Sequence, residues 1–165
     1  MKTKLGIGTI SHGTLRTGDV ATALLGVLAD CSAQHWREFI EHWEIPVEAL
    51  DDCEADFWDA DPFGADVLFM LFEELATYAP ALCSVGAHPG DGSDIGVWPD
   101  WGAIDDGVWY GEVLKVEAGT DWHDAVPELR VLGQYHYVLE VNERGSATLW
   151  GRNIASTWVI EWETV

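Results

Sequence analysis

Apolar residues recur along the first half of the chain at helical spacing and along the second half at strand spacing. Leu5 to Ile10 reads as a short first strand, with Gly13 and Gly18 punctuating the turn behind it. Thr17 is then expected to cap a helix that carries Asp19 in its first turn and Val20, Leu24, Leu28 and Cys31 along one face. A second helix is predicted from near Ala33 to Glu44, capped by Ser32 and closed by Pro46. Trp36, Phe39, Ile40 and Trp43 share its apolar face, and Glu38, Glu41 and Glu44 its polar one. Val47 to Asp61 has no clear period and reads as an acidic loop with a turn of helix in it. Asp61-Pro62 matches a helix start, a capping side chain followed by proline at the first helical position. The third helix carries Phe63, Val67, Leu68, Met70, Leu71, Phe72 and Leu75 and stops before Pro80. Being apolar on more than one side, it is expected to be the central buried helix.

From Leu82 onward the pattern changes to strands and turns. Leu82 to Ala87 and Ile95 to Trp98 flank the turn-rich loop from His88 to Asp94, which suits a hairpin. Val108 to Glu117 is a further strand candidate. Tyr135 to Val141 alternates, Glu143-Arg144-Gly145 turns into Ser146 to Trp150, and Thr157 to Trp162 places Trp158, Ile160 and Trp162 in register. The order is an N-terminal strand, about three helices, then a mostly antiparallel sheet of about six strands, an α+β class. At 165 residues a single domain is expected, its helical acidic part at about 14–80 and its sheet part at about 81–165.

Composition supports a packed core: 48% of residues are hydrophobic and 12% aromatic, including ten tryptophans spread along the chain. Charge changes the picture more. The formal net charge is −21, from 29 acidic and 8 basic residues. Between Glu38 and Leu114 lie 19 acids and no Lys or Arg, and seven of those acids fall within residues 51–66. Salt adaptation spreads acids over all exposed surfaces, and solubility needs only a modest net charge. Concentrated self-repulsion costs folding free energy, which argues for a use. Nucleic acid and anionic membranes, both polyanions, are excluded as direct partners, whereas basic proteins fit.

Catalytic and metal chemistry leave weak traces. Cys31, Cys53 and Cys83 form no C-x-x-C pair, which points to a reduced cytoplasmic setting rather than to zinc or a disulfide framework. The N-terminus is a poor signal peptide, and no apolar run is long enough to span a bilayer. Asp91, Ser93 and Asp94 suggest a cation loop, and His88 a metal pair with His12 if their strands are neighbours, but Pro89-Gly90-Asp91-Gly92 is ordinary turn chemistry and lacks the EF-hand pattern. No G-x-S-x-G elbow, P-loop or dinucleotide fingerprint occurs, and His35 and His42 read as surface or partly buried residues. No catalytic residue, metal ligand or cofactor is therefore assigned, and the protein is not expected to be an enzyme. Trp98, Trp101 and Trp109 beside Asp94, Asp100, Asp105 and Asp106 have the makeup of a sugar-binding surface, which fits a cytoplasmic chain poorly.

Two stretches carry a resemblance: Ile10-Ser11-His12-Gly13-Thr14-Leu15-Arg16 with Asp19, and Gly86-Ala87-His88-Pro89-Gly90-Asp91-Gly92 leading to Trp98-Pro99-Asp100-Trp101. Over roughly the first 115 residues the chain resembles a group of small, acidic, uncharacterised proteins encoded on bacterial phages, plasmids and integrative elements. The resemblance implies a mobile-element setting, in which small acidic proteins disarm host defence by occupying nucleic-acid grooves. Together with the charge map it leads to an expected function: a DNA- or RNA-mimicking inhibitor of a host defence complex, of anti-CRISPR or anti-restriction type. The residues expected to meet the partner are Glu38, Glu41, Glu44, Glu48, Asp51, Asp52, Glu54, Asp56, Asp59, Asp61 and Asp66, with Trp58 as an apolar anchor. The alternatives are an acidic adaptor that binds a basic protein without mimicry, or a small carbohydrate- or metal-binding module.

Overall fold

The computed structural model describes residues 5–60, 62–122 and 135–164. Asp61, expected as a helix cap and a partner-binding residue, lies outside the described residues. Within them the chain is α+β, with six helices and two sheets, of three and four strands. It divides into two compact units, Met1–Trp98 and Pro99–Val165.

In the first unit, β1 (Gly8–His12) starts later than its apolar run suggests and lies antiparallel to β3 (Asp91–Pro99), with β2 (Cys83–His88) on the far side of β3. Pro89-Gly90 makes the tight β2–β3 connection that the glycine and proline content predicts. α1 (Thr17–Cys31) buries Val20, Leu24, Leu28 and Cys31, the face read from their spacing. Thr17 is its first residue rather than its cap; Arg16 holds the cap position without a side-chain cap bond. α2 (Ala33–His42) is capped as expected, Ser32 Oγ accepting from the His35 N–H at 3.2 Å. His35 bridges α2 to the next long helix, meeting Glu74 Oε2 at 2.8 Å and the Tyr78 hydroxyl at 2.6 Å.

Two further expectations for this unit are corrected. The acidic stretch after Pro46 is not one loop but two short helices, α3 (Val47–Asp51) and α4 (Asp56–Asp59), because Ala49 and Trp58 turn inward and fix a turn around each. α5 (Phe63–Ala76) is one-sided rather than buried all round. Gly64, Val67, Leu71 and Leu75 are buried, while Phe69 stands 61% exposed beside Asp66 and Glu73. Its inner face packs on α1 and β2, which needs only one apolar stripe.

In the second unit the four-stranded sheet runs β4 (Val113–Glu117), β5 (Tyr137–Val141), β6 (Ala147–Arg152), β7 (Trp158–Glu163). β4 and β5 are parallel and the other pairs antiparallel, so the single sheet of about six strands is replaced by two smaller ones. Residues Val108 to Tyr110, expected as strand, end a helix instead: α6 (Trp101–Tyr110). Asp100 Oδ1 caps it by accepting from the Ala103 N–H at 3.0 Å, and Gly111 at φ 75° ends it in the left-handed region. β7 does not keep Trp158, Ile160 and Trp162 on one face. A bulge opposite Leu149 and Trp150 turns Trp162 inward (5% exposed) and leaves Ile160 outward (51%).

Candidate functional site

Every described carboxylate of the expected set is exposed: Glu38, Glu41, Glu44, Glu48, Asp51, Asp52, Glu54, Asp56, Asp59 and Asp66. Their placement follows from how the chain leaves α2. Glu44 takes a positive φ of 49°, a costly conformation for a residue with a Cβ, and this reversal swings Ile45 into the core at 5% exposure. Pro46 then opens α3, whose Ala49 is fully buried and whose Glu48 faces out. Asp52 ends α3, and its Oδ1 accepts from the Glu54 N–H at 2.9 Å, turning the chain into α4.

Trp58, expected as an exposed apolar anchor, is instead core. It is 3% exposed, and its indole N–H donates to the Ala49 carbonyl at 3.1 Å, tying α4 to α3. Glycines on two other helices make room for this packing. A Cβ on Gly18 would lie 2.0 Å from the Cys53 carbonyl oxygen, and one on Gly64 would lie 2.3 Å from the Trp58 carbonyl oxygen. The aromatic side chain on the acidic surface is Phe57, which meets Trp58 edge-on at 4.9 Å and Phe63 at 5.4 Å. Sequence reasoning passed over Phe57. The available signal was a second aromatic residue beside Trp58 within the acidic run Asp56-Phe57-Trp58-Asp59.

The outcome is an open concavity of about 450 Å³ lined by Pro46, Glu48, Asp52, Glu54, Ala55, Asp56 and Phe57. Four members of the expected set meet there. Asp51 and Asp59 lie on the same two short helices, whereas Glu38 and Glu41 on α2 and Asp66 on α5 are not part of the lining. Among the described residues Glu54 alone of the set has a basic partner, Arg16 Nη1 at 3.2 Å. The Glu54 hydrogen bond, reinforced by the Asp19 charge, holds the Arg16 guanidinium above its ordinary pKa.

Beneath this ion pair lies a small polar hub. The Thr14 hydroxyl donates to Asp19 Oδ2 at 2.6 Å, and the Cys53 thiol lies near the same carboxylate. The Thr14 bond first, and the nearby Cys53 thiol second, hold the Asp19 carboxyl below its usual range. The neighbouring Asp19 carboxylate, with burial, pushes the Cys53 thiol up. A raised thiol is a poor nucleophile at neutral pH, so this pair is an anchor rather than a reactive dyad. Thr14, Arg16 and Asp19, all from the first of the two familiar stretches, thus pin the acidic turn at Cys53 and Glu54.

The second stretch builds the β2–β3 hairpin. The Trp98 indole donates to the Gly86 carbonyl at 3.0 Å, and His88 packs edge-on against Trp98 at 4.7 Å. Asp91 Oδ1 accepts from both the Ser93 hydroxyl (2.8 Å) and N–H (3.0 Å), and His12 approaches Asp91 Oδ2 at 3.5 Å. The Ser93 bonds, with His12 assisting, keep the Asp91 carboxyl low. No group of three or more His, Cys, Asp or Glu among the described residues is arranged to hold a metal ion.

A larger concavity, about 760 Å³, lies at the ends of β4 and β5. Its charged lining is mixed, Lys115 and Arg144 against Glu117 and Glu143, so it offers a basic partner no net attraction. The acidic concavity remains the candidate site. Basic side chains can pair with its carboxylates while their aliphatic stems lie on Phe57 and Pro46. No helix among the described residues is long and apolar enough to cross a membrane. Comparison with protein-family models, curated proteins and solved structures finds no match for the chain.

Proposed function

We propose that this protein is an acidic nucleic-acid mimic that inhibits a host nucleic-acid-binding defence complex, of anti-CRISPR or anti-restriction type, by stoichiometric occupation of a basic groove. The observation that carries this reading is the gathering of Glu48, Asp52, Glu54 and Asp56, with Phe57, around one open concavity. Carboxylates held outward on short, tightly anchored helices present charge without reorganising, which suits a surface built to replace phosphates. Duplex DNA carries about one charge per 1.7 Å of axis, so a surface that replaces it needs closely set carboxylates, and residues 51–66 supply seven acids. The mobile-element setting implied by the two familiar stretches supports the same reading.

The test is displacement. Purified CRISPR effector and restriction complexes, loaded with labelled DNA or RNA, are titrated with the protein. Stoichiometric release of the nucleic acid, weakening steeply between about 50 and 200 mM salt, is the expected result. Binding that is indifferent to salt would sink the proposal. Binding that leaves the nucleic acid in place would favour an acidic adaptor instead.

A further inference from the structure

The helix that sequence reading missed, α6, carries a second surface of a different kind. Ile104 is fully buried and Gly107 lies against Val113, so one side of α6 faces its own sheet. The opposite side exposes Trp109 (82%), Tyr110 (75%), Trp101 (40%) and Val108 (37%), together with the exposed Asp105 and Asp106. Residues four apart on a helix stand one above the other. Trp101 and Trp109 therefore flank Asp105 along the helix, and Tyr110 stands one turn beyond Asp106. Each exposed aromatic ring has a carboxylate as its neighbour. The helix contains no Lys or Arg.

An aromatic face attracts a cation through its quadrupole, and an adjacent carboxylate adds a hydrogen-bond acceptor. A guanidinium satisfies both at once, lying flat on a ring while its edge donates to the carboxylate; an ammonium lacks that planar fork. A second copy of the chain would bring Asp105 and Asp106 against their own equivalents, which like-charge repulsion opposes. A neutral sugar can stack on these rings and donate its hydroxyls to the carboxylates, but it brings no positive charge to match theirs. We infer that the outward face of α6 docks arginine side chains of a basic protein partner, stacked on Trp109 and Tyr110 and paired with Asp105 and Asp106. This rests on the reading of the chain as a binder of basic proteins, but not on the acidic concavity.

The probes are fluorescent oligo-arginine and oligo-lysine peptides of equal length, titrated by anisotropy against the full chain. The wild type is expected to prefer arginine by about two- to fivefold. Trp109→Ala with Tyr110→Ala should bring the ratio close to one, and Trp109→Phe should largely keep it. These side chains are exposed, so circular dichroism and thermal melts should match the wild type. Neutralising the concavity (Glu48→Gln, Asp52→Asn, Glu54→Gln, Asp56→Asn) should weaken both peptides and leave the ratio standing. If that variant leaves both affinities unchanged while the ratio still depends on α6, the concavity reading fails and this one holds. An arginine preference that survives Trp109→Ala with Tyr110→Ala overturns the proposal. So does no preference in the wild type, Trp109-dependent self-association in sedimentation, or binding of a neutral oligosaccharide that Trp109→Ala abolishes.

Discussion

Trp58 in the first unit and Glu140 in the second stand at the centres of two opposite arrangements of the same residue types. Around Trp58 the indole is inside and the carboxylates are outside: Asp52, Glu54, Asp56 and Asp59 are all exposed, while the ring is 3% exposed. Around Glu140 the carboxylate is the hub. It accepts from the Trp122 indole at 3.0 Å through Oε1 and from the Trp150 indole at 2.6 Å through Oε2. Trp122 meets Trp150 and Trp158 edge-on at 5.7 and 5.4 Å, and the Arg152 guanidinium lies 5.9 Å from the centre of the Trp158 ring. In the second unit a carboxylate is consumed as the acceptor that organises an aromatic cluster. In the first, an aromatic is consumed so that carboxylates can be held out. Counting acids or tryptophans does not separate these uses; their placement does.

Removing the inner partner should break the first arrangement most severely. Trp58→Ala deletes a buried ring and its bond to Ala49, and a loss of about 3–5 kcal/mol is expected in urea unfolding. Gly18→Ala should approach that loss by a different route, forcing a methyl group into the Cys53 carbonyl. If Trp58→Ala costs less than about 1 kcal/mol, the acidic turn is not held by this ring.

The second arrangement should break through its charge. Glu140→Gln keeps the shape but replaces one acceptor oxygen with a donor that meets an indole N–H. A loss of roughly 2–3 kcal/mol is expected, with altered tryptophan fluorescence as the cluster loosens. A Glu140→Gln variant as stable as the wild type would show that ring packing alone organises this face.

Much of the helical frame was legible. Val20, Leu24 and Leu28 on α1, and Val67, Leu71 and Leu75 on α5, are spaced by turns of a helix and are all buried. The exposure of the acids was legible too, since unpaired Asp and Glu are costly to bury. α6 was not, because Trp, Val and Tyr favour strands locally and two glycines weaken the helical signal. Its caps, Asp100 and Gly111, were the sign that could have placed it. The division into two sheets and the bulge in β7 depend on pairings between distant segments, which local pattern does not carry. The same is true of the candidate site. That Asp and Glu residues face water follows from their chemistry. That four of them meet in one concavity depends on Trp58 reaching Ala49, and on Gly18 admitting the Cys53 carbonyl.

Neutralising the concavity should have the opposite sign to Glu140→Gln. Glu48→Gln, Asp52→Asn and Asp56→Asn remove exposed charges without a basic partner among the described residues, relieving self-repulsion. Stability at low salt should hold or rise by a few tenths of a kcal/mol for each substitution, while affinity for a basic groove falls step by step. A net loss of stability would mean that these carboxylates serve the fold, as Glu140 does, and would erase the contrast between the two regions.

The smallest effect sharpens the comparison at the joint between motif and acidic turn. The Asp19 carboxyl is held low by the Thr14 hydroxyl and the Cys53 thiol, so its contribution to stability is present above the unfolded pKa of about 3.9 and is lost as pH falls through the folded value. The Cys53 thiol is raised by the neighbouring Asp19 carboxylate, so its contribution is present below the unfolded pKa of about 8.5 and is lost as pH rises through the folded value. The pair therefore stabilises the turn between those two limits. Asp19→Asn removes the charge that opposes the thiolate, so Cys53 should be alkylated faster by iodoacetamide at mildly alkaline pH, as read at that residue by peptide mass mapping. The difference in melting temperature between wild type and Asp19→Asn should be widest near neutral pH and close in acid, where the wild-type carboxyl is protonated as well. An unchanged alkylation rate would mean that the thiol does not lean on Asp19. The acidic turn would then hang on Trp58 and the Arg16–Glu54 pair alone, and the first familiar stretch would lose one of its two links to the carboxylates it is argued to position.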